Sequence, residues 1–189
     1  MIRPVAALFP LAYVLAGGPG EAEPRAWRID ADASRLAITY LINGAPRRGE
    51  IGRFTGWARL DADDPESAEM ELEIDMASVD VGDPFGTAIV KTVDWFFVSE
   101  YPTGRYVLDR MEPVGEGQYR ATGRLTMRGV EHTVVGELTV AFSAGVAEAA
   151  GGAEFARSLY GVGVGFTALF VDVGDTVAVE YDLIAHPVK

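Results

Sequence analysis

Four apolar residues in strict alternation, Met70, Leu72, Ile74 and Met76, are separated by Glu71, Glu73 and Asp75, giving one oily face and one carboxylate face. A period of two is that of a half-buried β-strand, whose side chains point alternately to its two sides. A polar turn follows at Asp80, Gly82, Asp83 and Pro84. The alternation then stops. Over residues 86–99 apolar side chains crowd together and end in Trp95, Phe96 and Phe97, before Tyr101-Pro102. This stretch reads as a short helix or irregular plug whose aromatics cover one end of a body built from strands.

The same period recurs along the chain. After an opening at Trp27–Asp30, Leu36, Ile38, Tyr40 and Ile42 mark a strand that stops at the turn-forming pair Asn43-Gly44. Residues 47–52 read as a polar connection. Phe54, Gly56, Ala58 and Leu60 share the next inner face, where Gly56 and Ala58 leave space for a tight bend or a ligand. Residues 105–111 form a strand, and Tyr119, Ala121, Gly123, Leu125 and Met127 alternate up to the turn Arg128-Gly129. Val134, Leu138, Val140 and Phe142 return in phase. Residues 144–152 read as a flexible connection, 154–159 as a weaker strand, and Val177, Val179, Tyr181, Leu183 and Ala185 as the closing strand. Roughly eight or nine strands with hairpin-length links predict an all-β antiparallel body. The pattern leaves a filled sandwich and a hollow barrel both open.

Charge narrows the function. With 16 Lys+Arg against 28 Asp+Glu the chain carries −12, which argues against nucleic acid and anionic membrane surfaces. It has no cysteine, so disulfides, thiolate metal sites and a cysteine nucleophile are excluded. Met1–Arg3 followed by an apolar, small-residue-rich run over 5–16 predicts a signal peptide over residues 1–22, with Gly20 and Ala22 before the cleavage site. The domain is then 23–189, still at −12 because Arg3 and Glu21 leave together.

Catalytic signals are weak. The two histidines, His132 and His186, sit beside a turn and near the chain end, and read as surface residues. The inner faces listed above hold no acid, so no paired-carboxylate chemistry is expected, and no metal-ligand spacing is present. GVGVGF at 161–166 lacks the lysine and spacing of a phosphate loop and reads as a bend between strands.

Several segments in order resemble the YceI-like family. WRIDADASRLAITY is similar to its Trp-x-Ile/Val-Asp-x-x-x-Ser opening, GEIGRFTGW to its Gly-x-Phe strand and MASVDVGD to its Ser-Val-Asp-x-Gly-Asp/Asn turn. DWFFVSEYPTGRY resembles its aromatic helix end, YRATGRLTMRGV its Gly-x-Leu-Thr-Ile-Arg-Gly-Val hairpin and VGDTVAVEYDLIA its last strand, so the resemblance runs from Trp27 to about His186. It implies a lipocalin-like antiparallel β-barrel with one short helix or plug, exported to the periplasm, that holds a long isoprenoid without catalysis or cofactor. Polyprenyl phosphates, isoprenoid quinones and fatty amides are the family's ligand types. Relatives found beside cytochrome b561-type membrane proteins imply a quinone link and such a partner; a homodimer is left open. The chain departs from the family at Gly86, Thr87, Ala88 and Ile89, where many members carry Arg-Asp-x-His, and at Phe97, where an Asp is usual. Asp30, Asp80 and Asp94 match the family pattern and read as groups that satisfy turn amides.

The ligand-lining residues expected are Phe54, Met70, Leu72, Ile74, Met76, Trp95, Phe96, Tyr106, Tyr119, Leu125 and Tyr181. Methionines suit a long mobile chain, and tyrosines bring a hydroxyl to a quinone or amide carbonyl. A pyrophosphate head would need cations, for which Lys91, Arg110 and Arg157 are the candidates; so acidic a chain favours a neutral head. Two alternatives stand beside the carrier. One is a periplasmic interaction module with a filled core that docks on a membrane redox protein. The other is an isomerase or hydrolase using Asp30 and Asp94.

Overall fold

Alternating inner and outer side chains wind the protein into a closed antiparallel barrel in the computed structural model, which describes residues 25–61 and 64–188. The expected signal peptide lies outside the described residues. The strands are β1 (Arg25–Ile29), β2 (Arg35–Ile42), β3 (Ala45–Ile51), β4 (Phe54–Leu60), β5 (Glu69–Asp75), β6 (Val79–Asp80), β7 (Thr103–Gly115), β8 (Gln118–Met127), β9 (Val130–Ser143), β10 (Val146–Ala156) and β11 (Thr176–Pro187). Three walls are broken in the middle: β1 with β2, β3 with β4, and β5 with β6. Counting each broken pair as one gives eight walls in simple up-and-down order, closed where β11 pairs with β1 (Trp27 opposite Pro187) and β2 (Tyr181 opposite Leu36). Closure leaves the long strands without a free edge.

Side chains hold the breaks. Between β1 and β2, Asp30 accepts from the amides of Asp32 and Ala33, while Ser34 Oγ accepts from the Ile184 amide at 2.9 Å. Ser34 thus replaces the backbone acceptor that β11 loses where its partner strand turns away. Between β5 and β6, Ser78 Oγ donates to the Asp75 carbonyl at 2.7 Å and accepts from the Arg53 amide at 2.9 Å. The two breaks at Gly52-Arg53 and Met76–Ser78 are therefore fastened to each other.

Two segments differ from the sequence expectation. Residues 47–52, expected as a polar connection, fall mostly within strand β3: Pro46 and the arginines mask it, but Gly49 lets the Asp80 carbonyl of β6 approach within what would be clash distance of a Cβ. The expected connection at 144–152 belongs to strand β10, which runs through Ala156. Its inner residues Ala147, Ala149, Gly151 and Ala153 offer almost no hydrophobic contrast to reveal the alternation. A two-residue turn, Ala144-Gly145, with both residues at positive φ, joins it tightly to β9.

On the outer wall the charged positions pair across strands, as in Arg105–Glu71 at 2.6 Å, Arg53–Asp75 at 2.7 Å and Arg124–Asp109 at 2.9 Å. These pairs are exposed and each adds little stability. The fold rests instead on inner apolar burial, centred on Tyr40, Met76, Trp95, Leu125 and Tyr160 near one end and on Trp27, Phe54, Leu72 and Leu183 toward the other.

Candidate functional site

The barrel interior is hollow because small residues face inward on several neighbouring walls: Ala58 on β4, Ala121 on β8, Gly136 on β9, and Ala147, Ala149 and Ala153 on β10. The resulting cavity has a volume of about 540 Å³ and reaches from Ala68 and Met111 near one end to Asn43, Phe85 and Val173 at the other. That volume lies within the usual range for a small-molecule site. The polar side chains that touch it are few: Tyr40, Tyr106, Tyr181, Asn43, Asp83, Glu148 and Arg157. Two of these, Asp83 and Glu148, are acids, where none was expected on the interior. They touch the cavity from its opposite ends, so they form no catalytic pair.

One end carries the plug. Helix α1 (Pro84–Ile89) starts at Asp83, whose carboxylate accepts from the Gly86 amide at 2.8 Å, and turns then bring the chain to Trp95. Trp95 is held from two sides. Arg128, in the β8–β9 turn, donates to the carbonyls of Val93 and Trp95. Arg157 lays its guanidinium over the indole, 5.6 Å from the ring centroid. The same guanidinium donates to the carbonyls of Gly174, Val162, Gly163 and Val173 at 2.7–3.0 Å. It therefore fastens the long β10–β11 connection onto the plug.

Of the expected lining residues, nine reach the cavity: Met70, Leu72, Ile74 and Met76 from β5 and its following turn, Trp95 and Phe96 from the plug, and Tyr106, Leu125 and Tyr181 from the walls. Two do not. Phe54 is packed away against Leu72 and Ile29, and Tyr119 packs on a small cluster with Met111 and Ala121. Sequence reading missed the β10 face and Val171 and Val173 of the β10–β11 connection. It also missed Phe85, which lies just before the stretch read as the plug.

The tyrosines divide into two kinds. Tyr40 spends its hydroxyl on the Val81 carbonyl at 2.7 Å. Tyr106 and Tyr181, on β7 and β11, line the lumen with hydroxyls that bond no other described residue. The Tyr106 ring occupies the space that Gly123 leaves by having no Cβ. Burial pushes the Tyr181 hydroxyl up to about 12 and raises Tyr106 as well, the latter also through the nearness of Tyr181. Both are neutral, available donors in an oily channel.

The candidate cations differ from the sequence expectation. Arg157 is committed to four carbonyls and an indole, and Arg110 lies toward the far end of β7, beside Glu112 at 3.5 Å. They do not converge on the mouth with Lys91. His132 faces the Leu159 carbonyl at 3.2 Å and stacks edge-on with Tyr160, and His186 pairs with Asp30 at 3.5 Å on the surface. Asp80 accepts from the Gly82 amide at 2.8 Å and from Thr87 Oγ1 at 2.9 Å, a turn-satisfying role. Asp94 lies against Gly165, where a Cβ would overlap its carboxylate.

Known proteins share this architecture. Burkholderia cenocepacia BcnA superposes with a TM-score of 0.76 at 28% identity, over 82% of this chain and 98% of that one. A polyisoprenoid binding domain from Saccharophagus degradans, implicated in plant cell wall breakdown, superposes at 0.69 with 18% identity, over 87% and 99%. Among curated relatives, a UPF0312 protein of Ectopseudomonas mendocina is 27% identical over 71% of each chain, and one from Shewanella sp. (strain ANA-3) is 24% identical over 95% of this chain and 97% of its own. The model of the YceI-like domain matches residues 27–185. From the split first strand to the closing β11, this barrel belongs to the YceI-like domain family.

Proposed function

We propose that the protein is a non-enzymatic carrier that holds one long isoprenoid lipid in its lumen. The observation that carries this reading is the cavity itself: about 540 Å³, almost wholly apolar, and running from the plug to Ala68 and Met111. A filled-core interaction module does not fit a hollow interior. A chain of repeated methyl-branched units buries apolar area along the whole channel, at roughly 25 cal/mol per Å². The likeness to a polyisoprenoid binding domain supports the same ligand class.

The polar lining favours a neutral head over a phosphate. Arg157 has its guanidinium committed to carbonyls, whereas Tyr106 and Tyr181 offer uncommitted hydroxyl donors. A quinone or amide carbonyl accepts from such donors without a buried charge. The apolar N-terminal run supports export to the periplasm. There a cytochrome b561-type membrane protein is a partner suited to a quinone, and a homodimer is the assembly to look for alongside it.

Native mass spectrometry of protein purified from its own cells, followed by organic extraction, tests the reading. A stoichiometric isoprenoid is expected, with a carbonyl-bearing head. A protein that is empty as isolated and takes up neither added quinones nor polyprenyl phosphates would overturn it.

A further inference from the structure

The plugged end carries more exposed apolar surface than a lumen cap requires. From Leu159 to Val171 thirteen consecutive residues are uncharged, in a chain of which 23% is charged. Phe166, Leu169 and Phe170 in this stretch are 69%, 78% and 72% exposed, and the two phenylalanine rings meet edge to face at 5.1 Å. Across the mouth, Phe85 of α1 is 78% exposed and also lines the cavity, as does Val171. The outward patch thus adjoins the lumen wall at Val171, the neighbour of Phe170 in the chain, which is both exposed and part of the lining.

The chain holds this rim firmly in place. Gly161 and Gly163 adopt positive φ, and a Cβ on Gly163 would come within 2.6 Å of the Trp95 ring. Gly163 and Gly165 of GVGVGF thus seat the loop on Trp95 and Asp94. Four carbonyl bonds from Arg157, together with the Asn43 amide bonded to the Asp172 carbonyl at 2.8 Å, hold the rest. The aromatic side chains are left facing water, where contiguous apolar surface marks an interaction site.

We propose that this rim docks on an uncharged bilayer surface, with Phe166, Leu169 and Phe170 inserted at the level of the lipid head groups. Charge selects the occupant. A partner recognised through ion pairs finds no counterpart on residues 159–171, and an anionic surface repels a chain of −12. A zwitterionic lipid surface accepts uncharged aromatic and aliphatic side chains. With the rim embedded, the apolar step from Phe170 through Val171 to the lining lets a lipid tail pass between bilayer and lumen without crossing water. The docking stands on the patch; only the transfer rests on the carrier reading above.

Flotation of the full chain with phosphatidylcholine vesicles tests the docking, with lipid extraction from the same preparations as the second readout. The full chain is expected to float, and more weakly as phosphatidylglycerol replaces phosphatidylcholine. The double variant Phe166→Asp/Phe170→Asp is expected to lose vesicle binding on the order of tenfold or more, because it removes two apolar anchors and adds charge. Both sites are exposed and neither lines the cavity, so its melting temperature should match the parent. Trp57→Asp, on the outer barrel wall, is expected to float like the parent. A double variant that floats as well as the parent would overturn the docking surface and assign membrane contact to another part, the apolar N-terminal run included. A parent chain that stays off phosphatidylcholine would overturn it too. Vesicle binding that depends on the two phenylalanines, in a protein without extractable lipid, would overturn the carrier reading and leave the docking surface standing.

Discussion

The guanidinium of Arg157 lies 5.6 Å from the centre of the Trp95 ring while its nitrogens donate to four backbone carbonyls of the β10–β11 connection. One side chain therefore couples the plug to the loop that covers it. Lysine retains the charge but has a single nitrogen and no flat face, so it cannot reproduce a forked, stacked arrangement.

Arg157→Lys is expected to lower stability by about 2–4 kcal/mol, since several charge-assisted bonds are lost together. Urea denaturation followed by tryptophan fluorescence measures this. An unchanged midpoint would show that the carbonyls find other donors and that Arg157 is not the fastening.

The lumen owes its width to small residues, so filling one should shorten it. Ala149→Phe places a ring in the half of the channel away from the plug, opposite Leu183 and Val140. Each buried methylene displaced from a ligand costs about 0.8 kcal/mol. Long-chain quinone affinity is expected to fall tenfold or more, while a quinone with a short tail binds nearly as before. Equal losses for both lengths, measured by tryptophan quenching, would place the tail elsewhere.

Tyr106 and Tyr181 make a pH prediction with a definite sign. In the unfolded chain a tyrosine titrates near 10, whereas burial pushes Tyr181 up to about 12 and Tyr106 upward as well. The native state holds these protons more tightly, so the stabilisation is complete below pH 10 and is lost as pH rises toward 12. The melting temperature should therefore fall over that interval, and fall less steeply in Tyr106→Phe/Tyr181→Phe. The same variant should bind a quinone several-fold more weakly at pH 7, at about 1 kcal/mol per hydrogen bond lost. Affinity for a hydrocarbon of equal length should hold. If both ligands weaken alike, the hydroxyls do not contact the head.

Where hydrophobic contrast is high the chain is easy to read. The β5 face of Met70, Leu72 and Ile74, and the β8 face of Ala121, Gly123 and Leu125, lie where alternation puts them. The β10 face was hidden for the reason that makes it matter: alanine and glycine leave the hollow and leave no apolar signal. Arg157 illustrates another limit. Its residue type suggests an anion site, but donors are spent on whatever acceptors surround them, and here four carbonyls of the connection that starts at Arg157 itself arrive first. Phe54 and Tyr119 have the correct phase and still miss the cavity, because facing inward does not decide which side chains meet empty space.

Closure of the barrel sets an order of events during synthesis. The final seam joins Trp27 to Pro187, the first described strand to the last, and Ser34 reaches Ile184 across the same seam. Contacts so far apart in sequence close slowly, and none of them exists until β11 is free to pair. A nascent barrel is consequently an open sheet with two unsatisfied edges and an oily concave face. The lumen becomes a container only once β11 has joined β1 and β2, so any lipid it holds is acquired after that strand is made, and a chain truncated before β11 would be a candidate for chaperone capture or aggregation rather than a leaky carrier.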